Sequence, residues 1–323
     1  MTTIPDINKA VSILQQGGLV ALPTETVYGL GADATNPEAV RRIFLAKERP
    51  EDHPLIVHLA HFAQLGDWAR DISPAALKLA EAFWPGPLTM ILKKQPHVLD
   101  IVTGSQDTVG LRIPGHPVAR ALLEAFGGGI AAPSANKFTH ISPTTASAVF
   151  DELGEEVDLI LDGGACEVGL ESTIVDMTSG QPVILRPGMI TAEAIEAVLN
   201  VPVASAAIET ATKVPGMHHL HYAPITKTSL IEHFDIPLFL QTIAASDLPV
   251  VLMVRNVPLI PMTDQVFWVK MPSDPKEYAH DLYRTLRSLD SQQYQRIIIE
   301  NVPNERNWCA IADRLKKATG SVC

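Results

Sequence analysis

The stretch LVALPTETVYGLGADATNPEAVRRIFLAKERPEDHPLIVHL, residues 19–59, sets the fold class. Leu19 to Leu22 is an apolar run of buried-strand length that stops at Pro23. PTETVYGLGADA (23–34) is rich in Thr and Gly and has no sustained period, so a loop is expected there. Asn36 before Pro37 supplies a cap and a first-turn proline, which predicts a helix to about Lys47. KERPEDHP (47–54) ends that helix, and LIVHL (55–59) returns to strand. Strand, loop, helix and strand in one short span is the rhythm of an α/β domain.

The rhythm extends in both directions. Ile7, Ala10, Val11 and Leu14 recur at helical spacing upstream. Downstream, Ser73-Pro74 opens a helix to about Phe83, LTMIL (88–92) and TVGLRI (108–113) read as strands, and 117–126 reads as a helix. GGGIAAPSAN (127–136) is a small-residue strand and turn, and SPTTASAVFDEL (142–153) predicts a helix with Ser142 as its cap and Pro143 at its first position. VDLILD (157–162), ESTIVDM (171–177) and PVILRP (182–187) complete a first α/β domain over residues 1–200. Residues 201–227 change to Ala, Ser and Thr and then to the dense peptide PGMHHLHYAP (215–224), so they read as an interdomain connection. VVLMV (250–254), a helix over 275–290, RIIIENV (296–302) and NWCAIADRLKKA (307–318) make a second, smaller α/β domain over 228–323.

Composition narrows the function classes. The 323 residues are 46% hydrophobic and 19% charged, a globular balance rather than a disordered one. A formal charge of -11 lacks the basic footprint of a chain that wraps nucleic acid. Cys166, Cys309 and Cys323 form neither metal-ligand spacing nor a disulfide framework, which suits a reducing compartment. The opening MTTIPDINKA has no signal-peptide pattern, and no apolar run approaches the ~20 residues of a spanning helix, so a cytoplasmic protein is expected.

Several residues could carry chemistry. Lys47 and Arg49, two apart at a helix end between rigid turns, can grip phosphate or carboxylate oxygens; a solvated terminus offsetting the helix dipole is an equal reading. Thr24, Thr26 and Tyr28 offer hydroxyls to a small zwitterion, or form an ordinary Thr-rich turn. The loop lacks the Gly-Lys-Ser/Thr ending of a Walker A motif, and Gly127–Gly129 lack dinucleotide spacing. Ser134, Asn136 and Ser142 could present neutral donors to a phosphate or an adenine edge. Arg112 and Arg186 each end an apolar strand, and in open α/β sheets ligands sit beyond the carboxyl ends of strands. His58 follows a strand and either faces a cleft or packs as a neutral ring. His218, His219 and His221 lack the HExxH arrangement, so a zinc site is not expected.

Taken in order, PTETVYGLG (23–31), KERPEDHPLIVH (47–58), LRIPGHP (111–117), APSAN (132–136), SPT (142–144), ESTIVD (171–176) and ILRPG (184–188) resemble the YrdC/Sua5 family of threonylcarbamoyl-adenylate synthases. PGMHHLHYAP and the second α/β segment resemble its long Sua5 form, although His218-His219-Leu220 replaces a more basic peptide. The resemblance implies a twisted open-sheet YrdC-like catalytic domain with a cleft and a Rossmann-like second domain. It implies L-threonine, bicarbonate or CO2, and ATP as substrates, with Mg2+ expected. It places threonine recognition on Thr24, His58 and Ser172, with Tyr28 in the adjacent wall. It places the nucleotide on Lys47, Arg49, Ser134, Asn136, Ser142 and Arg186, with catalysis on Lys47, Arg49 and Arg186. Arg112 lies in a matching segment with its ligand left open, and His221 and Tyr222 belong to a possible lid. The product would pass to a separate tRNA threonylcarbamoyl-transferase complex, with direct tRNA contact weak or transient. A same-fold RNA-binding module and an ATP-hydrolysing maturation factor are the alternatives.

Overall fold

A computed structural model describes residues 3–205, 212–216, 221–243, 249–257 and 265–320. Two units emerge: Met1–Phe138 with Ser142–Met217, and Thr139–Ile141 with His218–Cys323. The expected connection over 201–227 is thereby divided between them. His218 and His219 lie outside the described residues.

The first unit begins with α1 (Ile4–Gln15), β1 (Val20–Leu22), β2 (Gly29–Asp33), α2 (Pro37–Lys47), β3 (Ile56–His58), α3 (Leu65–Trp68) and β4 (Ala69–Arg70). It continues through α4 (Pro74–Phe83), β5 (Leu88–Lys94), α5 (Asp100–Thr103), β6 (Thr108–Arg112), α6 (Pro117–Phe126) and β7 (Ile130–Ala131). It closes with α7 (Ala146–Leu153), β8 (Leu159–Ile160), β9 (Thr173–Asp176), β10 (Val183–Arg186), α8 (Ala192–Leu199) and β11 (Ala204–Ser205). Side-chain caps start the main helices: Asn36 accepts from the Glu38 and Ala39 amides, and Ser73 accepts from Ala76.

The strands form one large, twisted mixed sheet in the order β11-β10-β9-β5-β6-β3-β7-β2-β1-β8, with β4 paired to β5. Both faces are buried. Leu19 and Ala21 join the core that holds α2 residues Val40 and Ile43, whereas Val20 and Leu22 join a core with Leu14 of α1 and Leu122 of α6. The continuous apolar run LVAL is therefore read correctly as a strand covered on both sides.

Two expectations are corrected. GLGAD, expected in a loop, is β2, paired antiparallel with β1 through Leu22↔Gly29 and Val20↔Gly31. Its small residues hide the strand because they fit where bulk cannot. A Cβ on Gly31 would stand 2.9 Å from both Ile130 and Leu22 side chains. Ser142 does not cap the following helix. Thr145 does, accepting from Ala148 at 3.2 Å. Residues 142–144 are claimed by other partners, since Pro143 O accepts from Tyr28 N and Thr144 O accepts from Cys166 N, both at 2.9 Å.

The second unit contains β12 (Thr228–Ile231), α9 (Ile236–Thr242), β13 (Val250–Val254), β14 (Val266–Lys270), α10 (Pro275–Asp290), β15 (Arg296–Glu300) and α11 (Cys309–Thr319). Its four strands are all parallel, in the order β12-β15-β13-β14, the crossover arrangement expected of strands alternating with helices. Thr139–Ile141 is held here too: Ala223 N donates to Thr139 O at 2.9 Å, and Arg287 donates to Ile141 O. Among the described residues no helix is long and apolar enough to cross a membrane.

Candidate active site

The 24–28 loop is built on its own hydroxyls. Thr24 Oγ1 donates to Val27 O at 2.6 Å, accepts from the Thr26 and Val27 amides, and lies 2.8 Å from Thr26 Oγ1. This is the local turn that Thr favours over helix or ladder. Tyr28 then drops into the core, where its hydroxyl donates to Gly164 O (2.8 Å) and accepts from Gly163 N (3.1 Å). Burial raises its pKa, so it stays a neutral phenol.

His58 and Arg112 end the parallel strands β3 and β6 as register partners. Burial first, and the Arg112 cation second, push the His58 pKa down to about 3, so the imidazole is neutral. Its Nδ1 is buried with no hydrogen-bond partner among the described residues. A buried polar atom in that state is a place where a ligand group fits. Arg112 Nη1 donates to Thr26 Oγ1 at 2.9 Å, tying the strand ends to the loop.

Lys47 ends α2 and is 1% exposed. Its ammonium donates to Ser134 O (2.6 Å) and Asn136 O (2.5 Å), so the helix end and the PSAN turn share one cation. Burial, and then the neighbouring Arg49, hold its pKa well below the ordinary lysine range. Arg49 donates to Pro54 O at 3.0 Å and lies 6.0 Å from the centre of the Phe138 ring. A solvated helix terminus is thereby excluded for this pair.

A third set gathers around Ser172. Arg186, the last residue of β10, donates to Ser172 O through Nε and Nη2, to Ser172 Oγ at 3.0 Å, and to Pro215 O at 3.2 Å. Thr89 Oγ1 lies 2.8 Å from Ser172 Oγ, and Ser142 Oγ donates to Glu171 at 2.6 Å. Backbone bonds join the three sets: Leu30 N to Pro133 O and Ala135 N to Tyr28 O link the loop to the PSAN turn, and Tyr28 N to Pro143 O links it to the segment that carries Ser142. All the candidate residues of the first unit thus lie on linked segments. They do not line one row of carboxyl strand ends, because the sheet is mixed and neighbouring strands often run opposite ways.

His221 and Tyr222 belong to the second unit. Tyr222 is 1% exposed at φ 60, stacks on Tyr283 at 5.7 Å, and carries the Arg314 guanidinium 5.1 Å from its ring centre. Sequence reasoning missed Glu25, Thr89 and Glu171, all buried among these groups. Their signals were modest: the one acid in PTETVYGL, the one hydroxyl in LTMIL, and the acid that opens ESTIVD.

A family model described as "Telomere recombination" matches residues 12–188, and one described as "Threonylcarbamoyl-AMP synthase, C-terminal domain" matches residues 190–320. The chain belongs to the Sua5/YciO/YrdC family. Its relatives include the threonylcarbamoyl-AMP synthase of Pyrococcus abyssi, 39% identical over 325 residues that span 97% of this chain and 94% of that protein. The Bacillus subtilis synthase is also 39% identical, over 99% of this chain and 94% of its own length. A crystal structure of P. abyssi Sua5 complexed with L-threonine aligns with a TM-score of 0.90 at 37% identity, covering 98% of this chain and 94% of that one. The family carries the long form here, since both models find their match.

Proposed function

We propose that this chain is an L-threonylcarbamoyladenylate synthase, which makes threonylcarbamoyl-AMP and pyrophosphate from L-threonine, bicarbonate or CO2, and ATP. The observation that carries the reading is the likeness, over nearly the whole chain, to a Sua5 structure complexed with L-threonine. The site chemistry agrees with it. Neutral His58, Thr24 and Ser172 suit a small zwitterion, with Tyr28 fixing the loop beside them. Lys47, Arg49, Ser134, Asn136, Ser142 and Arg186 form the nucleotide side.

Threonine amine and bicarbonate or CO2 give a carbamate, and a carbamate oxygen attacks the α-phosphate of ATP. The new P–O bond forms as the bond to pyrophosphate breaks, so negative charge gathers on the transferred and departing groups. Lys47, Arg49 and Arg186, already aimed by their backbone partners, stabilise that charge without reorganising. Arrival of the phosphates favours the charged form of Lys47, which burial opposes in the free protein. No group of three His, Cys, Asp or Glu that could hold a metal occurs among the described residues. Mg2+ would enter with ATP, whose phosphate oxygens would supply the hard ligands it favours. Carbamate is labile in water, so the reaction calls for a site that excludes it. We assign the product to a tRNA threonylcarbamoyl-transferase complex, and the activity to the cytoplasm.

The test combines the purified chain with ATP, L-threonine and bicarbonate and looks for threonylcarbamoyl-AMP and pyrophosphate by mass spectrometry. Both products should depend on threonine. ATP breakdown indifferent to threonine rejects the reading.

A further inference from the structure

Glu25 stands between Thr24 and Thr26, and no step of the proposed reaction uses its carboxylate. It is 8% exposed. Burying a carboxylate is costly unless a cation and hydrogen bonds compensate it. Its Oε1 lies 2.7 Å from Arg112 Nη2, and its Oε2 accepts from Gly115 N at 3.0 Å. Its backbone oxygen accepts from Val168 N at 2.7 Å. Arg112, 4% exposed, completes the brace by donating to Thr26 Oγ1 and, through Nε, to Gly86 O at 3.2 Å.

The brace has a chemical consequence. A guanidinium is a planar fork, so three contacts fix both its position and its tilt. Arg112 is also the cation beside neutral His58 and the donor to Thr26. Remove the carboxylate, and the guanidinium, the Gly115 amide and the Thr26 hydroxyl each lose their common reference. The Glu25–Arg112 contact meets the ion-pair distance without hydrogen-bond alignment. Its main contribution is therefore charge balance, which an amide of the same shape cannot supply.

We propose that Glu25 is a positioning residue for the amino-acid side of the site, acting through Arg112 to hold Thr26 and the 24–28 loop in place for a ligand that carries both an ammonium and a carboxylate. The inference rests on the synthase reading, which supplies the amino acid, and it leaves the nucleotide side untouched.

Titration calorimetry of L-threonine and of ATP, each alone, compares the wild-type chain with Glu25→Gln and Glu25→Asp, after circular dichroism has verified the fold. Glu25→Gln should weaken L-threonine binding by about tenfold or more, the scale of one lost charged contact, with ATP affinity within about twofold. Glu25→Asp keeps the charge and should lie within about threefold of wild type for L-threonine. Should Glu25→Gln not fold, Glu25→Asp must still show the smaller loss for L-threonine alone. Equal losses for both ligands, or an unchanged L-threonine affinity, overturn the inference. Tighter L-threonine binding overturns it too, because Glu25 would then be a competitor for Arg112. A wild-type chain that binds L-threonine but releases no threonine-dependent pyrophosphate sinks the synthase reading, and the affinity comparison still decides Glu25.

Discussion

His58 joins a histidine's chemistry to an interior address, and the combination can be measured without any substrate. With its folded pKa near 3 and an ordinary value of 6.5, the unfolded chain binds the extra proton throughout that interval. Stability contributed by this depressed group is present above the unfolded value and falls as pH drops from about 6.5 toward 3, by up to about 1.4 kcal/mol per pH unit. Denaturant titrations at a series of pH values should show that slope in wild type and lose this share of it in His58→Gln. Parallel profiles would mean that the ring is not held neutral. Much at this scale was legible: Lys47 and Arg49 at a helix end, and Arg112 and Arg186 as the last residues of strands, stand where the sequence put them. Their partners were not. Lys47 reaches carbonyls 87 and 89 residues away, and Arg112 reaches a hydroxyl 86 residues away, separations on which local pattern is silent.

Elements were legible in proportion to their length and bulk. The helices that begin at Pro37 and Pro74 have the first-turn proline that announced them. Two-residue strands such as β4 and β11 hold too few residues for a period, and β2 is made of residues that carry no strand signal. The turn after β10 shows how tightly such pieces meet. A Cβ on Gly188 would stand 2.4 Å from Thr173 N and 2.8 Å from Ser172 C, both backbone atoms that cannot swing aside. Gly188→Ala should therefore push the turn off β9, with Arg186 drawn from Ser172, at a cost of about 1–3 kcal/mol. Gly66 has nothing within 4 Å of its Cβ position, so Gly66→Ala should stay within about 0.5 kcal/mol. Thermal unfolding and pyrophosphate release on both variants separate the two cases; equal stability of the pair would refute the close approach.

For the whole molecule, the α/β class and the long-form organisation could be read from the sequence, but the sheet order could not. Mixed pairing is decided by which strands meet, and no single strand records that. Net charge does act at this scale. At -11 the chain repels a polyanion at long range, so its tRNA affinity should be weak, with Kd above about 1 µM at physiological salt. Filter binding across a salt series checks this, and tight, steeply salt-dependent binding would contradict it.

The small excursion of Thr139–Ile141 into the second unit has a temporal consequence during synthesis. Ile141 leaves the ribosome 146 residues before Arg287, which donates to its carbonyl. At about 5–20 residues per second, that delay is roughly 7–30 s. The first unit can assemble its sheet in that interval, but Thr139–Ile141 must await a partner not yet translated. Nascent chains halted before Arg287 should therefore leave this peptide open to proteases, and chains released beyond it should protect it.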